Sequence, residues 1–439
     1  MREEREHLRK LVKIAAHLAR HMMFKLWACV RWVLLAILAG LAVGAYSTLF
    51  AWCMTKVTGC RETCGWLLYL LPFGGLAIVF SYRLARIEKD RGTNLVIHSI
   101  HARDDVPGRM SLLIFISTIL THLFGGSAGR EGAALQMGGS LGNLLGRLFR
   151  MDERNRKIMI MCGMSAAFAA VFGTPMAAAV FSMEVISVGI MHYSALVPCM
   201  FAALIASRFA ATLGITPESF TIESIPRLNV ENGTKMFILA VCCAGLSILF
   251  CMLLHMAGHL YQQYFANPYV RVFAGGCLVV ALTLLCGVRD YNGAGIGVIE
   301  RAMSGEVAPW AFLLKMVFTA LTLGAGFKGG EIVPTFFVGA TFGCLFGQIA
   351  GLSPSLCAAA GMAATFCGVT NCPISTLLIS FELFGFEGIP YFMIAISVSY
   401  LLSGYKGLYS DQIIVYSKYR PQFINRLAGD ESEDDLIHS

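Results

Sequence analysis

The sequence has 439 residues, of which 56% are hydrophobic and only 14% charged, against about 25% charged residues in an average soluble domain. This composition excludes an ordinary soluble enzyme or binding domain and indicates an integral membrane protein. The net charge of +7 does not indicate a nucleic-acid partner, because the basic residues are concentrated in hydrophilic pieces that flank apolar runs.

The chain begins with a charged amphipathic segment, residues 1–27, which has no small-residue cleavage site and is predicted to persist as a cytoplasmic helix. The apolar runs that follow are long enough, or nearly so, to cross about 30 Å of hydrocarbon as helices. They are residues 28–52, 65–82, 110–124, 236–258, 272–287 and 309–325. Shorter apolar runs, such as 176–190 and 372–384, are expected to break within the membrane or to lean on neighbouring helices.

The distribution of positive charge predicts how the chain is oriented. Lysine and arginine concentrate in residues 2–31, 83–91, 147–157 and 418–426, all beside apolar runs. Short loops rich in these residues face the cytoplasm, so we assign the four regions there and expect residues 417–439 to form a short cytoplasmic tail. With no cleavable signal and no large cytoplasmic domain expected, the predicted location is a prokaryotic inner (plasma) membrane.

Two stretches of the sequence resemble each other. Residues 163–184 read GMSAAFAAVFGTPMAAAVFSME, and residues 361–382 read GMAATFCGVTNCPISTLLISFE. Upstream, GSAGRE at 126–131 faces GFKGGE at 326–331 with nearly the same offset. Matches that recur in the same order, with only small insertions between them, predict an internal repeat.

We place the two membrane repeats at residues 28–212 and 213–416. After its glycine-rich helix the first repeat carries five basic residues, at 147–157, whereas the matching segment 348–358 carries none. This asymmetry favours an inverted-topology repeat. Transport proteins of that type bind their substrate near mid-membrane, between the repeats, where broken helices direct their N-termini at it. The predicted fold is therefore an all-α membrane protein with broken helices meeting at mid-membrane.

Each repeat contains a glycine-rich loop that carries an acid, GGSAGREG around Glu131 and GFKGGEIVP around Glu331. The glycines disfavour helix in the loop, so each acid falls near the start of the following helix, where unpaired N–H groups and the helix dipole stabilise an anion. A charged side chain at mid-membrane costs about 2.5–3.5 kcal/mol on insertion scales and is a functional candidate. We expect Glu131 to compete with a transported anion when charged and to withdraw when protonated, which would couple anion movement to proton movement.

Both acids can also have purely structural roles. Glu131 can cap its own helix or pair with the adjacent Arg130, and Lys328 is close enough in sequence to neutralise Glu331. These alternatives stay open at the level of the sequence.

Other polar residues in the apolar runs have simpler explanations. Glu184 and Glu382 occupy equivalent repeat positions, which favours a shared structural role such as accepting hydrogen bonds from nearby backbone N–H groups. His122 is interpreted as a buried hydrogen-bonding residue rather than a proton relay. Cys60 and Cys64 can pair as an external disulfide, although free thiols are expected. The cysteines show no paired metal-ligand spacing, so no metal site is predicted.

The motifs together resemble the CLC family of anion channels and proton-coupled antiporters. GSAGREG followed by a glycine-spaced helix resembles the family's GREGP signature, and GLYSDQI at 407–413 resembles the segment that carries its anion-site tyrosine, here Tyr409. The resemblance covers about residues 28–416. It implies the CLC fold, one anion pathway per subunit and a homodimer in the lipid bilayer, with no cofactor.

Three departures from the chloride-handling members resemble the CLC-F branch, which exports fluoride in exchange for protons. GTNLV at 92–96 replaces GSGIP, GGEIVP at 329–334 replaces GGIFAP, and Val185 stands where those members have their internal proton-transfer glutamate. The resemblance therefore implies a fluoride/proton antiporter. The alternative within the family is a chloride channel or chloride/proton exchanger.

The expected site combines this resemblance with the chemistry of the loops. Glu131 is expected to be the moving gate that carries the proton, and Glu331 a second carboxylate that tunes or relays it. The expected anion-binding residues are Thr93, Asn94, Gly129, Arg130, Gly132, Ile332, Val333 and Tyr409. Fluoride exporters often have threonine at the position of Val333, so backbone N–H groups and Thr93 are expected to replace that hydroxyl.

A function from another class is an intramembrane enzyme that uses Glu131 and Glu331 as general acid and base. The sequence disfavours it, because no nucleophile motif, metal pair or HExxH motif accompanies the two acids. A purely structural or receptor membrane protein would leave the paired glycine-acid loops unexplained.

Overall fold

The computed structural model describes residues 2–87, 92–101 and 106–429. Within them the chain forms sixteen α-helices and three short strands. The helices are α1 (Arg2–Thr63), α2 (Leu71–Leu84), α3 (Thr93–His101), α4 (Arg109–Leu123), α5 (Glu131–Leu148), α6 (Glu153–Phe172), α7 (Pro175–Glu184), α8 (Leu196–Thr212), α9 (Val230–Tyr264), α10 (Pro268–Cys286), α11 (Ile296–Met303), α12 (Ala311–Ala325), α13 (Ile332–Ala350), α14 (Pro354–Thr370), α15 (Pro373–Phe384) and α16 (Ile389–Leu402). The strands are β1 (Ser187–Val188), β2 (Ile413–Tyr416) and β3 (Phe423–Leu427).

Six helical segments in the described part of the chain are long and apolar enough to cross a membrane. They are Lys13–Thr63, Gly65–Leu84, Tyr193–Thr212, Val230–Tyr264, Pro268–Cys286 and Ile332–Ala350. The predicted spans at 110–124 and 309–325 are the 15-residue helices α4 and α12, which at 1.5 Å per residue reach only about 22 Å. These two helices are too short to cross the hydrocarbon at full length, which the sequence predicted only for the runs at 176–190 and 372–384.

The first helix is continuous through residue 27, where the sequence had suggested a boundary between a cytoplasmic helix and the first span. No glycine or proline occurs between residues 2 and 39, so nothing in the backbone chemistry ends the helix there. Cys60 and Cys64, near its far end, are both free thiols, as expected.

The helices confirm the internal repeat, because α1–α8 correspond in order to α9–α16. The ends of two matched helices show how closely the halves agree. The α6 helix ends at Gly173 with φ +82° and α14 ends at Asn371 with φ +59°, so both stop on a left-handed residue. We propose that the boundary between the repeats lies within 213–229, the segment that joins α8 to α9.

Glycines allow the paired helices of each repeat to touch backbone to backbone. A Cβ atom added at Gly138 of α5 would lie 2.3 Å from the Gly163 carbonyl oxygen of α6, and one added at Gly339 of α13 would lie 2.3 Å from the Gly361 carbonyl oxygen of α14. Small residues at four-residue spacing favour this close helix contact in membranes. The α5–α6 and α13–α14 pairs thus form the rigid centre from which the two acidic loops project.

Phenylalanine rings fill the space between the two repeats. Phe172 of the first repeat stacks on Phe336 of the second with ring centroids 5.7 Å apart, and Phe366 lies 5.0 Å from Phe336 and 5.8 Å from Phe181. All four rings are buried. Their contacts extend the core across the repeat boundary, so the halves pack as one body.

A small sheet departs from the expected all-helical architecture and from the expected tail at 417–439. The β1 strand pairs in parallel with β2, which pairs antiparallel with β3. Between β2 and β3, the Lys418 Nζ donates to the Asn371 side-chain oxygen at 2.6 Å and to the Tyr400 carbonyl at 2.9 Å. An ammonium group suits the free carbonyls at the end of a helix, here α16. As far as residue 429, this segment is therefore part of the folded membrane domain.

Glu184 and Glu382 cap each other's repeat. Glu184 at the end of α7 accepts hydrogen bonds from the backbone N–H groups of Ile374 (3.1 Å) and Ser375 (2.7 Å) and from the Ser375 hydroxyl. Both capped helices begin with proline, which supplies no N–H, so the two following amides are the donors that need an acceptor.

The reciprocal contact has the same form. Glu382 at the end of α15 accepts from the N–H groups of Met176 (3.0 Å) and Ala177 (2.9 Å) at the start of α7. The predicted structural role of both glutamates is confirmed.

We expect Glu184→Gln and Glu382→Gln each to lower the free energy of unfolding by about 1–3 kcal/mol, because an amide presents one acceptor and one donor to two backbone donors. Thermal unfolding in detergent measures the effect as a lower Tm. Glu387→Gln, the same change at an exposed position, is the control and should leave Tm unchanged. An equal Tm for all three variants would contradict the capping role.

Candidate anion site between the repeats

The two glycine-rich loops meet in a short backbone bridge. The Gly129 N–H donates to the Gly330 carbonyl at 2.7 Å, and the Gly330 N–H donates to the Gly129 carbonyl at 2.8 Å, in antiparallel register. A Cβ atom at Gly330 would lie 2.5 Å from the Gly132 nitrogen, so a side chain there would force the loops apart. The α5 and α13 helices start directly after this bridge, which confirms the predicted convergence of helix N-termini.

Glu131 lies beside the bridge and is fully buried. One carboxylate oxygen accepts the Arg130 backbone N–H at 3.0 Å, and the other accepts the Arg130 Nε at 3.2 Å. Its Oε2 atom lies 3.2 Å from the position that a Cβ on Gly129 would take. The pairing with Arg130, left open by the sequence, is therefore present in this conformation.

Arg130 also binds a second carboxylate that the sequence reading missed. Its Nη2 donates to Glu218 Oε1 at 2.6 Å, with both side chains less than a fifth exposed. Glu218 lies in the segment between the repeats and is 88 residues away from Arg130 in the sequence. Two carboxylates thus share one guanidinium, and Arg130 serves in this conformation as their partner.

Glu331 occupies the mirrored position before α13. The ideal Cβ position at Gly132 lies 3.4 Å from Glu331 Oε2. Glu331 therefore lies against the glycine loop of the first repeat, whereas Glu131 lies against its own loop. A charge on Glu331 would act electrostatically on the hydroxyl of Tyr409. The Lys328 ammonium lies 4.9 Å from the ring centre of Tyr82.

The start of α13 offers backbone donors rather than side-chain donors. Ile332 and Val333 are buried, and their N–H groups lie in the first turn, where a helix provides no internal acceptor. Pro334 has no N–H. The Val333 side chain has no polar atom, so only its amide can contribute to anion binding.

The third broken helix, α3, connects the bridge to the Tyr409 segment. The Thr93 hydroxyl at its start donates to the Gly132 carbonyl at 3.3 Å, and the Asn94 side-chain oxygen accepts the Asp411 N–H at 3.3 Å. Tyr409 is 2% exposed, and within the described residues its hydroxyl has no hydrogen-bond partner. A buried hydroxyl without a partner carries a desolvation cost of about 1–3 kcal/mol, which indicates a position where a polar ligand can bind.

A buried amide network lies against the backbone of Val185. The Gln412 side-chain nitrogen donates to the carbonyls of Val185 (2.9 Å) and Thr370 (3.2 Å), and its oxygen accepts from the Asn371 side chain at 3.1 Å. Sequence reasoning identified the missing acid at Val185 but not this network, whose members are far apart in the chain. The Val185 carbonyl is therefore held by a neutral amide.

The fold and the bridged loops define a multi-pass membrane protein of the inverted-repeat transport class. A family profile for voltage gated chloride channels matches residues 73–404, which is most of the chain. The protein therefore belongs to the CLC family, whose members are channels and transporters.

The relatives agree with this assignment. The chain is 38% identical over 401 residues to a chloride/fluoride channel protein of Pseudomonas syringae pv. tomato, covering 89% of this chain and 88% of that protein. It is 28% identical over 272 residues to an H(+)/Cl(−) exchange transporter ClcA of Vibrio cholerae, covering 58% of each.

Two solved structures have the same fold. A crystal structure of a CLC-type fluoride/proton antiporter superposes with a TM-score of 0.84 at 32% identity, covering 87% of this chain and 98% of that chain. A slow cyanobacterial Cl−/H+ antiporter gives a TM-score of 0.73 at 18% identity, covering 85% and 94%. The second likeness concerns the fold alone.

We expect Gly330→Ala to reduce anion efflux from proteoliposomes by at least about tenfold, because small displacements of a binding geometry can cost up to about a hundredfold in rate. The added methyl group has no room beside Gly132. Gly245→Ala on α9, where an added Cβ meets nothing within 4 Å, is the matched control and should transport normally. Normal efflux by Gly330→Ala would show that the close approach of the loops is dispensable.

Proposed function

We propose that the protein is a secondary active transporter that exports fluoride across a prokaryotic inner membrane in exchange for protons. The observation that carries this proposal is the Gly129–Gly330 bridge, which joins two acidic loops at the N-termini of α5 and α13. The relatives named for fluoride, at 38% and 32% identity, support it. Homodimeric assembly belongs to the proposal and rests on the family resemblance, and the choice of membrane rests on sequence features.

Glu131 is proposed as the gate. In the paired conformation its carboxylate lies next to the bridge and accepts the Arg130 N–H, one of the donors that an anion at this place would use. Protonation removes the negative charge and weakens the ion pair with Arg130. The side chain can then leave, and a transported anion takes its place at the loop amides while the proton stays on Glu131. Anion and proton thus exchange at one position.

Glu331 is proposed as the second carboxylate, which tunes or relays the proton. It lies on the second-repeat side of the bridge, with its Oε2 atom 3.4 Å from the ideal Cβ position at Gly132. Position 185 carries an apolar valine whose carbonyl accepts from the neutral Gln412 amide. This supports a different proton route from that of exchangers with an internal glutamate at that position.

The donor set suits a small, strongly hydrated anion. Fluoride must exchange its water shell for short hydrogen bonds, because leaving a buried charge without donors is costly. The proposed donors are the Tyr409 and Thr93 hydroxyls together with the amides of Gly132, Ile332 and Val333. Asn94 and the Gly129 loop hold these groups in place.

The second candidate is a chloride channel or chloride/proton exchanger. It is favoured by the 28% identity to an H(+)/Cl(−) exchange transporter and by Val333, which removes a hydroxyl that fluoride exporters often have. The two candidates differ in anion selectivity and are separated by it.

We expect purified protein in liposomes to release fluoride at least about ten times faster than chloride under the same gradient, a difference of about 1.4 kcal/mol in transition-state free energy. Ion-selective electrodes measure both rates directly. Protein-free vesicles and vesicles with the Gly330→Ala variant serve as controls. Equal rates for the two anions would reject the fluoride assignment in favour of the chloride candidate.

Glu131→Gln should abolish proton movement driven by a fluoride gradient, because glutamine keeps the shape of the side chain but cannot take up a proton. The pH inside the vesicles, followed with a fluorescent dye, should change no faster than in protein-free vesicles. Glu387→Gln, at an exposed position, should retain the full proton flux. Proton movement that survives in Glu131→Gln would show that another group carries the proton.

A further inference from the structure

A water-accessible cavity of about 550 Å³ has Arg130 in its wall and no residue of the Gly129–Gly330 bridge. Its wall includes Arg61 and Thr58 near the end of α1, His122 of α4, and the segment around Asn292. The end of α1 lies opposite its basic N-terminal part, so the positive-inside rule assigns the cavity to the outer face. Four arginines line the cavity against two acidic residues, which makes it electropositive.

Two of the four arginines are neutralised by close ion pairs. Arg130 contacts two carboxylates, and Arg301 pairs with Asp290 at 2.5 Å. The nearest carboxylate to Arg61 is that of Glu62, at 3.9 Å and 68% exposed, a geometry that contributes little. Arg61 therefore keeps an effective positive charge at the cavity wall.

The surrounding backbone fixes the Arg61 guanidinium in place. The Arg61 Nη1 donates to the His122 carbonyl at 3.4 Å. A Cβ added at Gly293 would lie only 2.0 Å from this Nη1 atom. Gly293 has φ +63° and its N–H donates to the Gly126 carbonyl at 3.0 Å. The segment that carries Gly293 is thus hydrogen-bonded to the first acidic loop and packs against the Arg61 guanidinium.

His122 supplies an unsatisfied polar atom at the same wall. The residue is 1% exposed, and its Nδ1 lies 2.9 Å from the Thr118 carbonyl. A carbonyl only accepts, so Nδ1 carries the hydrogen and Nε2 is the acceptor in the neutral ring. Within the described residues Nε2 has no hydrogen-bond partner. A buried ring nitrogen of this kind indicates a bound water or ligand.

A buried lysine lies behind this wall. Lys315 of α12 is fully buried, and its Nζ donates to the Gly293 carbonyl at 2.7 Å and the Tyr291 carbonyl at 3.2 Å. Both carbonyls are neutral and belong to the segment that packs against Arg61. Lys315 therefore helps to hold in place the segment that contacts Arg61.

We propose that Arg61 and His122 form a second anion-binding position, in the outer cavity and separate from the bridge, for one monovalent inorganic anion. The guanidinium donates directly to the anion, and His122 Nε2 holds a water whose second O–H points at it. That fluoride is the anion held there in the cell rests on the proposed function. The position keeps anions concentrated next to the Glu131 gate.

Bromide is the probe for this position, because its anomalous scattering locates it and a cavity of this size admits it. Crystals of the full chain in bromide should show an anomalous peak in contact with the Arg61 guanidinium. The peak should be lost in Arg61→Met and weakened in His122→Phe. The control is Asp290→Asn/Arg301→Met, which removes an ion pair from the same cavity without changing its net charge, and it should retain the peak.

Three outcomes would overturn the proposal. They are no peak beside Arg61 in the wild-type protein, a peak that persists in Arg61→Met, and peaks of equal height beside exposed arginines elsewhere, which would mean an adventitious ion only. Because bromide binding does not depend on which anion is transported, this result is independent of the fluoride assignment. Arg61→Lys, which keeps the charge but not the planar fork, provides a second variant if Arg61→Met fails to fold.

Transport kinetics supply the functional readout. At low ionic strength Arg61→Met should slow efflux of the transported anion about three- to tenfold, and the difference should vanish at high ionic strength, because salt screens the field of the cavity. The Asp290→Asn/Arg301→Met control should match the wild type at both. Slower efflux by Arg61→Met that is unchanged by salt would indicate a purely structural residue and contradict the proposal.

Discussion

Two hydrogen bonds between Gly129 and Gly330 hold the centre of this protein together. Each backbone group that leaves a helix inside a membrane must find a partner, because the hydrocarbon offers none. Here the non-helical backbone of one repeat satisfies that of the other, so both loops can end a helix in mid-membrane and start a new one. The requirement for backbone contact explains the glycines, and the two free helix starts that result offer backbone donors of the kind that bind anions.

The charged side chains inside the protein are likewise each bound by specific partners. Glu131, Arg130 and Glu218 form one buried group in which a guanidinium serves two carboxylates, and Glu184 and Glu382 use the proline-started helices of the opposite repeat. The two kinds of glutamate differ in what they bind. The capping pair accepts only neutral backbone and hydroxyl donors, which are fixed by the fold. Glu131 is bound mainly by one movable side chain and its adjacent amide, and a group held in this way can change partners.

Much of this arrangement was predictable because it occurs twice, in two similar stretches of the sequence. The match of 163–184 to 361–382 predicted the paired helices, and the glycine-acid loops predicted that α5 and α13 begin at one place. The equivalence of Glu184 and Glu382 was enough to assign them a structural role. Glu218, Gln412 and the small sheet could not be predicted, because they lie outside the matched repeat segments and contact residues that are distant in the sequence. A local pattern carries no information about such contacts.

Val333 shows how the site can tolerate a lost hydroxyl. At the start of α13 the side chain of residue 333 is buried, so a threonine there would add one donor to a place where the Val333 amide already points along the helix axis. Tyr409 offers a buried hydroxyl without a partner among the described residues, and the Thr93 hydroxyl uses its hydrogen on the weakly bound Gly132 carbonyl at 3.3 Å. An anion that approached Thr93 would compete with that carbonyl for the same hydrogen. Under the proposed function, valine at this position would shift coordination from the α13 side chain toward backbone amides, Tyr409 and α3. The strength of fluoride binding would then depend on how readily Thr93 exchanges one acceptor for another.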